Sequence, residues 1–142
     1  MAKISIIMGS QSDLETVNET INVLREFKVS FEAKILSAHR TPKEVVKYVE
    51  AAPKKGTKIF IAAAGMSAAL AGVVASHTTL PVIGIPIETK NLKGLDSLLS
   101  TVQMPPGIPV ACMAIGKAGA KNAALFALEI LGISDAQIRA KL

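Results

Sequence analysis

The sequence has no tryptophan, one tyrosine and four phenylalanines, so aromatics are only 4% of the chain. A core must therefore be built from small and branched aliphatics, which the 50% hydrophobic content supplies. That composition suits close packing of helices on a sheet, and extensive contacts between subunits. There is one cysteine, Cys112, so no internal disulfide forms and a reducing, cytoplasmic setting is expected. Among apolar neighbours it reads as a core thiol rather than a nucleophile. The only two histidines, His39 and His77, lie far apart. With no His-x3-His or Cys-x2-Cys spacing, a metal site is not expected. No apolar run reaches the roughly 18 residues of a membrane span. A charged-then-apolar leader is also missing, so secretion is not expected. The net charge is +5, but the lysines are scattered, with Lys54-Lys55 the nearest thing to a cluster. Three arginines and one tyrosine offer little for stacking or reading bases. Nucleic acid is thus an unsuitable partner, and a basic surface suits a small anionic substrate.

The 142 residues read as one α/β domain spanning 1–142. Apolar, β-branched runs predict strands at Lys3–Met8, Phe31–Leu36, Thr57–Ala63, Leu80–Ile85 and Val110–Ile115. Helical spacing predicts helices at Ser12–Phe27, Pro42–Ala52, Ser67–Ser76, Leu95–Val102 and Ala118–Leu131. The last of these is apolar on nearly every face and should be buried, partly by another subunit. Ser134 is expected to cap a short final helix. Alternation of strand and helix predicts a three-layer, open parallel sheet of about five strands, flavodoxin- or Rossmann-like, with helices on both faces. The turns Gly9–Asp13, Ser37–Arg40, Ala64–Ser67 and Pro86–Lys90 then share the edge where strands end.

Two of these turns carry chemistry. Ser37-Ala38-His39-Arg40-Thr41-Pro42 places a hydroxyl, an imidazole and a guanidinium before a helix. Thr41, Pro42 and Glu44 fit a capping box and first helical turn, and a helix start needs no further function to explain it. His39 carries an imidazole, which suits proton transfer in both directions. Arg40 suits a phosphate, gripped through two parallel hydrogen bonds. In Gly9-Ser10-Gln11-Ser12-Asp13, free backbone N–H groups at a helix start favour an anion. Dinucleotide and Walker-type glycine patterns are both missing there. Asp13 suits ribose hydroxyls or the first helical turn equally. His77 reads as a helix C-terminal residue interacting with carbonyls.

Taken together, several blocks resemble the N5-carboxyaminoimidazole ribonucleotide mutase family of purine biosynthesis. They are Met8-Gly9-Ser10-Gln11-Ser12-Asp13, the Ser37–Pro42 block, Gly94-Leu95-Asp96-Ser97-Leu98-Leu99-Ser100-Thr101-Val102-Gln103-Met104-Pro105-Pro106-Gly107-Ile108-Pro109-Val110-Ala111, and Gly116-Lys117-Ala118-Gly119-Ala120-Lys121-Asn122-Ala123-Ala124-Leu125. The resemblance covers nearly the whole chain in the same order. It implies an isomerase that moves CO2 from an exocyclic nitrogen to ring C4 of a ribonucleotide monophosphate. It implies no metal, ATP or organic cofactor. It further implies His39 as the catalytic acid and base, with Ser10, Asp13 and Arg40 binding substrate and Ser12 and Ser37 nearby. A cytoplasmic homo-octamer with sites shared between subunits is the implied assembly.

Two departures stand out. The family's third motif usually reads Gly-Gly-Ala-Ala-His-Leu-Pro-Gly, whereas this chain has Gly65-Met66-Ser67-Ala68-Ala69-Leu70-Ala71-Gly72. Ala69 thus stands where histidine is typical. The chain also ends at Leu142, short of the longer C-terminal helix of many relatives, which leads one to expect weaker subunit contacts. The alternatives are a direct aminoimidazole ribonucleotide carboxylase using CO2, and a nucleotide-binding homologue impaired by Ala69.

Overall fold

The computed structural model describes residues 1–142. Five strands form one parallel sheet: β1 (Ile4–Met8), β2 (Phe31–Ile35), β3 (Ile59–Ala64), β4 (Val82–Pro86) and β5 (Ala111–Cys112). Six helices accompany them: α1 (Leu14–Glu26), α2 (Pro42–Ala51), α3 (Leu70–Ser76), α4 (Leu95–Val102), α5 (Lys117–Gly132) and α6 (Ala136–Lys141). The strand order is β2-β1-β3-β4-β5, the expected three-layer α/β architecture.

Side-chain alternation along the strands divides the core in two. Ile4, Ile6 and Met8 join Ile59, Ile61, Ile83 and Ile85 against the buried faces of α1, α5 and α6. Ile7, Phe60, Ala62 and Val82 point the other way, onto α2 and α3. α4 packs on that second face too. A Cβ at Gly84 would lie 2.5 Å from Thr101 Cγ2, so the bare backbone of β4 is what admits the helix. Right-handed crossovers dictate this division. The chain steps one way from β1 to β2 and the opposite way from β2 onward, so the connecting helices change face.

Ser5 breaks the apolar pattern of β1 and is fully buried. Its hydroxyl lies 2.8 Å from Thr57 Oγ1 and 3.1 Å from the Tyr48 hydroxyl, which donates to Glu32 Oε2 at 3.0 Å. Burial pushes the Tyr48 phenol up to about 12. Lys34 and Tyr48 hold the Glu32 carboxyl below its usual range.

Several local expectations differ from the structure. No capping box forms at α2: Thr41 makes no side-chain cap bond, because its hydroxyl is taken up by Ser37. Asp135, not Ser134, caps the last helix, accepting from the Gln137 and Ile138 amides. Its carboxylate also pairs with Lys3 Nζ at 3.1 Å, a tie that Ser134 could not make. α3 starts at Leu70 rather than Ser67, because residues 66–69 form a tight turn. β5 shrinks to two residues, since this edge strand leaves β4 to start α5. Within one chain, Ala120, Ala123, Ala127 and Leu128 of α5 face the core, while Lys121, Asn122, Phe126 and Glu129 are exposed.

Candidate active site

The sheet's strand order reverses between β1 and β3, and ligands of such sheets bind beyond the strand C-termini at that point. Here the Gly9 amide crosses the gap to the Ala63 carbonyl at 3.1 Å. The next residues fold into a short 3-10 turn, Gln11–Asp13. Ser10 caps it, accepting from the Ser12 amide at 3.3 Å, and the two hydroxyls lie 3.0 Å apart. Asp13 heads α1 yet makes no side-chain cap bond, and is only 7% exposed. Burial pushes its carboxyl above the usual range, against a weaker downward pull from the Ser10 backbone.

A charge kept buried at a helix start without capping it costs stability, which fits a group retained for a ligand. Asp13→Asn is therefore expected to raise stability by about 1 kcal/mol at neutral pH. The sign follows from the raised carboxyl. Its penalty is full above the folded-state pKa and vanishes as pH falls past the ordinary 3.8, where both states are protonated. Urea titrations of both proteins across pH check this. A neutral-pH loss of stability in the variant contradicts it.

The turn after β2 lies beside the first. Met8 and Ile35 are register partners, and the Leu36 amide donates to the Met8 carbonyl at 2.9 Å. Ser37 and Thr41 close its base. The Ser37 amide donates to Thr41 Oγ1 at 2.9 Å, and the Thr41 amide to the Ser37 carbonyl at 2.9 Å. Ser37 Oγ accepts from the Arg40 amide at 3.1 Å. His39 and Arg40 sit at the tip with exposed side chains. Neighbouring strand ends thus bring Ser10, Ser12 and Asp13, after β1, beside Ser37, His39 and Arg40, after β2.

The third turn follows β3. Met66 adopts φ +60 and is 69% exposed. A left-handed conformation costs a non-glycine residue roughly 1–2 kcal/mol. Ala69 follows at the head of α3 without a side-chain cap. Thr89 and Ser100, neither of them among the expected site residues, border this turn. The available signal was the one-turn spacing of Asp96 and Ser100 on α4, on the side facing the turn.

His77 and Cys112 lie outside this group. His77 ends α3, and its Nδ1 faces Glu50 Oε1 at 3.6 Å rather than helix carbonyls, which corrects the expectation. Cys112 is half-buried on β5, and burial pushes its thiol up, as suits a packing residue. A groove of about 940 Å³ is lined by His77, Thr78, Thr79 and Ile108 and opens near the start of β4. That is the opposite edge of the sheet from the four turns. It offers an imidazole and hydroxyls but no guanidinium, and it lies away from the strand C-termini where such sheets bind ligands, so the turns are the better candidate despite its size.

A family model described as AIR carboxylase matches residues 3–142. The chain belongs to the AIR carboxylase family. It is 53% identical to N5-carboxyaminoimidazole ribonucleotide mutase of Saccharolobus solfataricus, over 100% of this chain and 89% of that protein. The Pyrococcus abyssi mutase is 55% identical over 100% of this chain and 80% of its own length. The fold is similar to the crystal structure of Treponema denticola PurE, with a TM-score of 0.87 and 31% identity. That match covers 96% of this chain and 84% of the other. Membership in the AIR carboxylase family thus extends over essentially every element described above, including all four strand-end turns.

Proposed function

We propose that the chain is an N5-carboxyaminoimidazole ribonucleotide mutase of de novo purine biosynthesis, acting as one unit over residues 1–142. The observation that carries this reading is identity above 50% to proteins of that name across the full chain. The two adjacent turns supply chemistry that fits it. Arg40 grips the 5′-phosphate and Asp13 accepts from the ribose hydroxyls, with Ser10, Ser12 and Ser37 adding hydrogen bonds. His39 protonates the carbamate nitrogen, and the N–C bond breaks to release CO2 and leave a neutral amine. The enamine-like carbon C4 then attacks CO2 and forms the new C–C bond. Neutral His39 removes the C4 proton, which restores the aromatic ring and the imidazolium. Atoms and charge balance without a metal or organic cofactor.

A cytoplasmic homo-octamer is part of the same reading. Leu92, Leu95, Leu99 and Val102 form an exposed apolar stripe along and before α4, which supports burial against further copies. The single cysteine supports a reducing compartment.

The deciding assay is turnover of the N-carboxylated ribonucleotide without added bicarbonate. Conversion to the C4-carboxylated product at a bicarbonate-independent rate is expected. Turnover of aminoimidazole ribonucleotide that requires CO2 instead identifies a direct carboxylase. Ala69 favours one second reading, an impaired nucleotide-binding homologue. Binding without turnover, with activity appearing in Ala69→His, selects it. Arg40→Ala is expected to weaken binding of the ribonucleotide by roughly 10–100-fold, as loss of a charge-assisted pair does. Calorimetry with the dephosphorylated nucleoside should show no such change. Equal losses for both ligands remove Arg40 from phosphate recognition.

A further inference from the structure

One side chain outside the four turns reaches into the third. Ser100 Oγ, on α4, shares its one proton between the Met66 carbonyl at 3.2 Å and the nearer Asp96 carbonyl one helical turn back. The N-terminal end of α4 is anchored in turn. Thr89 Oγ1 donates to Asp96 Oδ1 at 2.6 Å and accepts from the Gly94 amide at 2.9 Å. Thr89 also packs against Gly65, where a Cβ would lie 3.6 Å from its Cγ2. The turn after β3 is therefore braced on one network at two points, Gly65 against Thr89 and Met66 under Ser100.

The brace sits where the backbone needs one. Met66 is left-handed, and its exposed side chain has no packing to hold that conformation. Glycine adopts such a φ freely, whereas methionine does not. The Met66 carbonyl takes two donors, Ser100 Oγ and the Ala68 amide at 2.9 Å. Only the first comes from another element. Ser100 is thus the side chain from another element that bonds directly to the residue in the left-handed conformation, and its loss would free the Met66 carbonyl to turn and swing the amides of residues 67–69.

We propose that Ser100 is a positioning residue for the reaction. Through the Met66 carbonyl it fixes the Gly65–Ala69 turn at the strand edge where substrate sits, offsetting the left-handed conformation of a methionine. This rests on the mutase reading, with the turn after β3 beside the turn after β1 at the switch point of the sheet.

The test compares wild type, Ser100→Ala, Ser100→Thr, Met66→Gly and the Met66→Gly/Ser100→Ala pair, by steady-state kinetics and by amide hydrogen exchange at Ala68 and Ala69. Ser100→Ala should lower kcat about tenfold with KM within about twofold, as a small misplacement of a reacting site does. Ser100→Thr, which keeps the hydroxyl, should restore kcat. In the Met66→Gly background the loss should shrink below about twofold, since the two residues are coupled. Exchange at Ala68 and Ala69 should quicken at least about fivefold in Ser100→Ala, because the turn opens locally. Unchanged exchange overturns the brace. Faster exchange with unchanged kcat overturns the positioning role, as does an equal kcat loss in both backgrounds. A wild-type chain that binds but does not turn over defeats the mutase reading and the catalytic role with it, while exchange still decides the brace.

Discussion

His39→Asn should lower turnover of the carboxylated ribonucleotide by on the order of a thousandfold while leaving its affinity within a few-fold. That is about 4 kcal/mol of transition-state stabilisation. Asparagine keeps a hydrogen-bonding amide of similar size but cannot exchange a proton near neutral pH. The reaction needs one proton delivered to nitrogen and one taken from carbon, and no second histidine stands on this edge of the sheet. The fold should not notice the change. The turn is tied through Ser37, Thr41 and main-chain groups, and the imidazole is exposed. Stability within about 0.5 kcal/mol of wild type is expected. The decisive measurements are single-turnover rates beside product-binding calorimetry. Turnover within tenfold of wild type would show that another group moves the proton.

The second large effect concerns folding. Gly119→Ala should destabilise the protein by on the order of 4 kcal/mol, at the severe end for a single methyl group. An added Cβ would lie 1.6 Å from the Ala114 carbonyl oxygen and 2.6 Å from its carbon. These are backbone atoms, so no rotamer relieves the clash. Either α5 starts later or the chain leaving β5 shifts, and both disturb the packing of Ala120, Ala123 and Ala124 against α1. Alanine's better helix propensity offsets only about 1 kcal/mol. Chemical denaturation is the check. A variant as stable as wild type would mean that the helix start is far more tolerant than this contact allows.

The layered sheet was legible because burial on both faces demands long aliphatic runs, and Ile4–Met8, Ile59–Ala64 and Val82–Pro86 have them. The sharing of one edge by the Gly9–Asp13 and Ser37–Arg40 turns followed from parallel pairing alone. Choices between adjacent, chemically similar groups were not legible. Ser134 and Asp135 can both cap, and the salt bridge to Lys3, distant in sequence, favours the second. Thr41 can cap or close a turn, and the Ser37 main chain claims it. His77 meets Glu50 across α2 and α3, a pairing with no local signature. The strain at Met66 was hidden for another reason: methionine carries no turn signal, and the left-handed backbone shows only in three dimensions.

Tyr48 has a practical consequence. With no tryptophan present, it is the chain's only strong near-ultraviolet chromophore. Its phenol is pushed up to about 12 in the fold, whereas the unfolded chain returns it to the ordinary 10.0. Between those values the native protein keeps the ring neutral and denaturation ionises it, so stability falls as pH rises through that window. Phenolate absorbance in denaturant at a pH between those two values therefore reports the loss of a single hydroxyl network, with no dye and no engineered label.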